Sequence, residues 1–440
     1  MPSVSKILEK IVSDQLYFYF ETNDLIDDCQ FAFRRGRSTE MALIGFISKI
    51  LIKQESGLNT IAIFLDLAKA FDTVAHDVLL GKLEHYGIGG TALRWFESYL
   101  TDRNICVKFK ESISSLKEIK CSVPQGSSLG PLLFIIYVND ITKTSNILKY
   151  SIYADDTVIY TSGKNYNTLI NNLNDELVNL YYWFLSNKLT LNINKTHCMV
   201  FDRGKRLPQD IPLIRFNDKK IDRITETRFL GLTITDKLNW RKHIKDISLK
   251  VNKLNGIIYL TRQYFGSDTL RQMYTTLIYP HLIYCNILWG YGYHSHLNPL
   301  ILAQKRVIRT ITFSRKYTHT SPLFPQLNLL KLQDINILSN SIFVYKIINN
   351  IIFTVVNYTF AYSVHHIVLR DPLHLRVPFG RSTQYQQSVV CRSCRVWNDL
   401  PINIRMSPNL IVFKRSVREF LLHIESGNVK LCNQWLLDFD

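Results

Sequence analysis

No stretch of this 440-residue chain is apolar for long enough to read as a bilayer span. The longest uncharged run near its C-terminal end, IINNIIFTVVNYTFAYSVHHIVL (347–369), is studded with Asn, Thr, Ser and His, so it reads as buried protein. The opening MPSVSKILEKIVSDQ has no apolar core of the secretory kind. Internal repeats and low-complexity linkers are missing too. Cysteine gives no disulfide framework: its eight residues are scattered, and Cys106, Cys198 and Cys285 sit in apolar or mixed surroundings, which suits free thiols in a reducing, intracellular compartment. The one close pair, Cys391 and Cys394 in CRSC, has no second ligand pair at zinc spacing, since HHIVL lies well upstream. Acid is in short supply as well, with 36 Asp and Glu against 53 Lys and Arg. The net charge of +17 favours a polyanionic partner, nucleic acid or an acidic membrane surface.

What is present is a globular composition, 46% apolar and 20% charged, with length for two or three domains. Up to about residue 200, TIAIFLDL and YSIYADDTVIYTS read as strands, while SVSKILEKIVSDQLYFYF and TLINNLNDELVNLYYWFLSN have helical spacing. From about 241 the pattern is mostly helical, and after about 346 it is mixed. Between Arg241 and Lys316 there are twelve basic residues and only two acids, Asp246 and Asp268. In the first helix of this region Ile244, Ile247, Val251, Leu254 and Ile258 form one stripe, and Lys242, Lys245, Lys250 and Lys253 lie largely off it. A solvated face normally mixes signs, so the shortage of acid points to a phosphate-binding surface, with Lys242, Lys245, Lys253, Arg306 and Arg309 as its candidates.

Two adjacent aspartates, Asp155 and Asp156, interrupt strand-forming residues in YADDTVIY. Asp is a poor strand residue, and neighbouring like charges oppose each other's ionisation. Either this is an exposed hairpin tip or a cation sits there. Asp66 ends the strand-like IAIFLD, where it could also cap a helical turn over LAKAFD. One arrangement accounts for all three: a strand carrying Asp66 beside a hairpin carrying Asp155 and Asp156, the carboxylates converging on two Mg²⁺ ions, which suits phosphoryl transfer. In SVPQGSSLGPLLFIIYVNDI, Gly126 and Gly130 allow close backbone approach to a ligand and Gln125 offers an amide. A plain loop before a buried helix explains the same residues.

The ordered set FLDLAKAFDTV, SVPQGSSLGPLLFIIYVNDI, YADDTVIY, NKLTLNINKTHCMVF and RFLGLTI resembles the palm of a reverse transcriptase. PSVSKILEKIVSDQLYFYF and DDCQFAFRRGRSTEMAL resemble the fingers of the non-LTR (LINE-type, jockey-like) retrotransposon enzymes. YTTLIYPHLIYCNILWG, AQKRVIRTI and VWNDLPINIRMSPNLIVFKRSVREFL resemble their thumb and C-terminal segment. The resemblance implies an α+β right-hand polymerase: partial fingers over 1–60, a palm with an antiparallel sheet over 61–235, a basic helical thumb over 236–345, and a C-terminal accessory segment over 346–440. It implies RNA template, DNA primer and dNTPs as partners, no membrane, and two Mg²⁺ ions, with Mn²⁺ as a substitute. Asp66 and Asp155 would hold both metals and Asp156 would support them. Lys195 would sit near the leaving pyrophosphate, Phe71 under the nucleotide sugar, and Gln125 and Gly126 along nucleotide and template. Arg34 or Arg37 would meet the triphosphate, and RFLGLTI (228–234) the primer end.

Ser122 stands where the family usually has Gly. The chain also begins inside the fingers stretch, so the resemblance implies a polymerase without its endonuclease domain. A catalytically inactive nucleic-acid-binding remnant is the competing reading. A two-metal nuclease fits less well, since it has no need to monitor a nucleotide sugar. Nuclear action is implied by the family alone.

Overall fold

The computed structural model describes residues 3–124, 126–202, 212–353, 355–361 and 371–425. They fall into two compact units, residues 1–42 with 57–225, and 43–56 with 226–440. In the first unit Leu16 and Phe20 of the first helix share one core with the sheet strands. The chain after residue 346 falls in the second unit.

The first unit is a five-stranded sheet with helices against it. Helix α1 (Ser3–Thr22) leads in, and α2 (Thr39–Glu55) carries the chain across the unit boundary. The strands are β1 (Asn59–Leu65), β2 (Lys149–Tyr153), β3 (Asp156–Gly163), β4 (His197–Phe201) and β5 (Asp222–Arg223), in the order β5-β4-β1-β3-β2. Only β5 and β4 pair in parallel. Central β1 is buried from Thr60 to Leu65, so it reads as a continuous apolar run and not as an alternation. Helices α3 (His76–His85), α4 (Gly90–Leu100), α5 (Gly130–Val138) and α6 (Tyr166–Ser186) complete the unit. Apolar on every side, α5 is buried along nearly its whole length. Asn165 starts α6 by accepting the Asn167 and Thr168 N–H groups, and its Leu169, Leu173, Leu177, Leu180 and Phe184 fill the core.

The second unit opens on a hairpin, β6 (Glu226–Phe229) and β7 (Leu232–Thr235). Leu230 and Gly231 both have positive φ, the backbone of a tight two-residue turn. Helices α7 (Arg241–Thr261), α8 (Ser267–Met273), α9 (His294–Ile311), α10 (Leu332–Ile348), α11 (Val389–Asp399) and α12 (Leu410–Glu425) follow. The rings of Tyr345 and Phe413 stack at 4.2 Å, and buried Trp397 lies 6.0 Å from Phe413, which locks α10, α11 and α12 together.

Cys391 and Cys394 lie three apart on α11 and both face this core. Burial pushes the Cys391 thiol up and that of Cys394 to about 12, so both behave as apolar filling. Among the described residues no helix is long and apolar enough to cross a membrane. Of the uncharged run 347–369, residues 354 and 362–369 lie outside the described residues, as does Gln125.

Candidate active site

β1 and β3 run antiparallel, with Leu65 opposite Thr157, and β2 pairs with β3 up to Tyr153 opposite Asp156. Continuing the first register by one residue sets Asp66 beside Asp156. Ala154 and Asp155 form the two-residue turn, with Ala154 held at a φ of 57°. Asp155 and Asp156 are exposed and Asp66 is half-buried. The Asp156 carboxyl is held above its ordinary range, first by the water its neighbours displace, then by the charges of Asp155 and Asp66. Both neighbouring aspartates thus act on Asp156 through their charge. Among the described residues no group of three or more His, Cys, Asp or Glu side chains is placed to hold a metal ion. The donors are hard carboxylate oxygens partly open to solvent, which suits Mg²⁺ or Mn²⁺ together with a substrate phosphate.

A polar loop clamps the backbone at Asp66. Its carbonyl accepts the Asn192 N–H at 2.8 Å, and its own N–H donates to Thr196 Oγ1 at 3.3 Å. Thr196, with no exposed surface, donates in turn to the Asn192 carbonyl at 2.9 Å. The Ala68 N–H bonds Thr190 O, and Leu67 bridges Leu191. Lys195 is exposed on the short turn Ile193–Lys195 inside this clamp, so the loop that presents it is fixed directly to Asp66. Sequence reasoning picked out Lys195 but passed over Asn192 and Thr196. Their signal was a polar interruption between Leu191 and the apolar β4.

Phe71 is half-buried on the turn Ala70–Asp72, its ring stacked on fully buried Phe134 at 4.3 Å. The loop before α5 is strung along the same turn: Val123 N–H donates to Phe71 O and Ser122 N–H to Val74 O. His76 Nε2 lies 2.8 Å from Ser122 O. Ser122 has a φ of 97°, a left-handed backbone that favours glycine, which accounts for the family's usual residue there. Gly126, at a φ of 78°, has open space where a Cβ would stand. Ser127 Oγ accepts the Gly130 N–H at 2.7 Å, and a Cβ on Gly130 would come within 2.6 Å of that oxygen. Buried Glu9 of α1 accepts from Ser128 N–H at 2.9 Å and Tyr99 O–H at 3.1 Å. An open cavity of about 370 Å³, lined by Asp72, Arg103, Ile105, Ile119, Ser122, Val123 and Pro124, adjoins this loop.

The two predicted triphosphate arginines both bond within the first unit. Arg34 is buried and grips Glu21 with two bonds, at 2.7 and 3.0 Å, while also donating to the carbonyls of Ile26 and Asp27. Arg37 donates to Asp28 through its carboxylate and its carbonyl. Both guanidiniums are spent on holding the 21–37 loop, whose backbone groups need donors away from water. Between them Arg35 is exposed, with its guanidinium 5.4 Å from the Tyr17 ring and only a 3.6 Å contact to Asp14. Sequence reasoning missed it, because three arginines in FRRGR give no sign of which one turns outward.

In the second unit Ile244, Ile247, Val251 and Ile258 of α7 are buried and Leu254 half-buried, as the stripe predicted. Lys242, Lys245, Lys253 and Arg306 are exposed, and Lys242 makes a loose 3.6 Å pair with Glu226. Arg309 departs from the expected face. It is half-buried and donates to Thr318 O at 2.8 Å, closing the turn after α9. The RFLGLTI stretch forms the β6–β7 hairpin, whose Leu230 carbonyl accepts from Tyr284 O–H.

The family model for reverse transcriptase (RNA-dependent DNA polymerase) matches residues 1–234. A probable RNA-directed DNA polymerase from transposon X-element of Drosophila melanogaster is 25% identical over 76% of this chain and 37% of its own length. The RNA-directed DNA polymerase from the mobile element jockey of the same species is 27% identical over 76% and 37%. The chain thus spans little more than a third of the length of these relatives. Apo telomerase from Candida tropicalis aligns at a TM-score of 0.41 and 12% identity, covering 75% of this chain and 54% of the telomerase, a likeness too distant to carry any argument. With the family match extending over the acid-bearing sheet, the glycine-containing loop and the clamp at Asp66, the chain belongs to the reverse transcriptase (RNA-dependent DNA polymerase) family.

Proposed function

We propose that this chain is the polymerase portion of a jockey-like non-LTR retrotransposon protein, extending a DNA primer with dNTPs on an RNA template. The observation that supports the reading is the β1–β3 register, which carries Asp66 alongside Asp156 next to the turn that holds Asp155, with the Asp156 carboxyl raised first by burial and then by the charges of Asp155 and Asp66. Asp66 and Asp155 hold two Mg²⁺ ions, or Mn²⁺ in their place, and Asp156 supports them. Once bound, the ions supply charge neutralisation at the attacking hydroxyl and the leaving oxygen. The primer 3′ hydroxyl gives up its proton to solvent, its oxygen forms a bond to the α-phosphorus, and the bond from that phosphorus to the pyrophosphate oxygen breaks. Lys195 meets the leaving pyrophosphate, Phe71 lies under the sugar, and Gln125 and Gly126 follow nucleotide and template. Arg35 takes the triphosphate role in place of Arg34 and Arg37. Lys242, Lys245, Lys253 and Arg306 bind phosphates, which needs only charge and position.

In this reading 1–60 contributes fingers, 61–235 the palm, 236–345 the thumb and 346–440 an accessory segment, and the action is nuclear. Primer extension on an RNA template with Mg²⁺ tests it. Asp66→Asn and Asp155→Asn should each lose extension by on the order of 10²–10³-fold or more while keeping the fold. If the parent chain binds an RNA–DNA duplex and never extends it, the chain is a nucleic-acid-binding remnant.

A further inference from the structure

The C-terminal ends of α7 and α9 lie side by side. Arg262, just past α7, places its guanidinium 4.3 Å from the Tyr259 ring and 5.9 Å from that of Phe313, just past α9. Thr310 on α9 also donates to Asn255 on α7 at 3.0 Å. Late in α7 and in the segments just past the two helices the chain carries open rings: Tyr259, Phe265 and Phe313 are about half exposed, Tyr264 is 76% exposed and Tyr317 86%. Lys316 lies 5.3 Å over the Tyr317 ring. From Ile257 to Thr318 there are seven basic residues, Arg262, Arg271, Lys305, Arg306, Arg309, Arg315 and Lys316, against Asp268 alone.

Phe313 is placed there at a cost. Its φ is 55°, and the Ser314 N–H reaches back to Arg309 O at 3.0 Å, a helix ending that ordinarily takes glycine at this position. A phenylalanine that strains the backbone and still leaves half its ring in water serves stability poorly. Rings interleaved with cations and almost no acid match a polyanion that carries flat, apolar faces.

We propose that the junction of α7 and α9 is a stacking platform for an unpaired polynucleotide strand, with bases laid on Tyr264, Phe313 and Tyr317 and phosphates met by Arg262, Arg315 and Lys316. The proposal rests on the reading of this chain as one that handles nucleic acid, and it adds recognition of bases outside a duplex. The test is fluorescence anisotropy with the full chain and four probes: a short single-stranded RNA, the same sequence as DNA, an abasic strand of equal length, and an RNA–DNA duplex. The parent chain should bind base-bearing strands well above the abasic one. Replacing Tyr264 and Tyr317 together by Ala should weaken base-bearing strands by roughly tenfold or more. The abasic strand and the duplex should be unaffected. Phe313→Gly should act in the same direction without lowering the melting temperature, because it relieves the left-handed residue. The RNA and DNA arms show which strand is preferred. Equal binding of base-bearing and abasic strands by the parent chain overturns the proposal, as does an equal loss of both in the variants. Loss of self-association alone would make this a protein-docking face and also overturn it. None of these readouts needs polymerisation, so a failure of Asp66→Asn to affect extension would sink the polymerase reading and leave this one standing.

Discussion

Leu65 faces Thr157 across the antiparallel β1–β3 ladder, and the next residue outward on each strand is an aspartate. A strand period of two sends side chains to alternate faces, so this register decides whether Asp66 and Asp156 meet. A slip of one residue would part them. The sheet's central pairing and the chemistry of its edge are therefore one property.

The repulsion at this edge makes Asp156→Asn informative. A carboxyl whose folded pKa is raised favours the folded state only while protonated. Its penalty is absent below the unfolded value, grows as pH rises through that value to the folded one, and is complete above it. In metal-free buffer Asp156→Asn should therefore match the parent chain near pH 3 and melt higher at pH 7. Added Mg²⁺ should raise the parent's melting temperature more than the variant's. Thermal scans across pH with and without Mg²⁺ check both signs, and a variant less stable at pH 7 without metal would contradict them.

Ser122→Gly should stabilise the chain by about 1 kcal/mol, because the left-handed backbone at φ 97° penalises any Cβ. Ser122→Ala should bring no such gain, since it keeps the Cβ. Urea unfolding of the two variants separates backbone strain from loss of the hydroxyl.

Arg34 and Arg35 should fail in different ways. Arg34→Ala removes two donors from Glu21 and one each from the Ile26 and Asp27 carbonyls, and should cost about 2–4 kcal/mol of stability. Burial alone would raise the Glu21 carboxyl, but the Arg34 guanidinium overrides it and holds Glu21 below its ordinary range. That contribution is present above the unfolded carboxylate value and is lost as pH falls through the folded one, so Glu21→Gln should flatten the acid limb of the stability curve. Arg35→Ala should leave melting nearly unchanged and raise the KM for dNTP. A stability loss at Arg35 with no change in KM would return it to a surface role.

Much of this was legible in the sequence for physical reasons. Period and strand propensity located β1, the β2–β3 hairpin, α6 and α7, because each buries a continuous or striped apolar set. The placement of Asp66 at a strand end and of Asp155 at a hairpin turn was readable because apolar strand runs stop at those residues. Which of Arg34, Arg35 and Arg37 turns outward was not, since a loop that satisfies its carbonyls with arginines leaves no period to read. The helices after residue 383 were obscured for another reason. They are short, and α11 and α12 bury their faces against α10, far away in sequence.

Phe71 is where packing and substrate choice divide. One face of its ring rests on Phe134, and the side chain is only half-buried, so the remaining surface is free to meet a ligand. A purely structural Phe71 would make Phe71→Val a packing lesion, costing about 1–3 kcal/mol and leaving the ratio of kcat/KM for dNTP over rNTP unchanged. A ring that lies under the sugar excludes a 2′-hydroxyl by volume. Removing it should then collapse that ratio by roughly tenfold or more, while dNTP use falls modestly. Partial burial makes both effects small enough to coexist, and the ratio is insensitive to the fraction of folded enzyme because both substrates see the same population. We expect the ratio to fall, with a melting temperature lowered by a few degrees. The control is Phe134→Leu, which loosens the support beneath the ring without opening space at the sugar. It should lower the melting temperature at least as far and move the ratio much less. If the two variants shift the ratio equally, Phe71 acts only through the core.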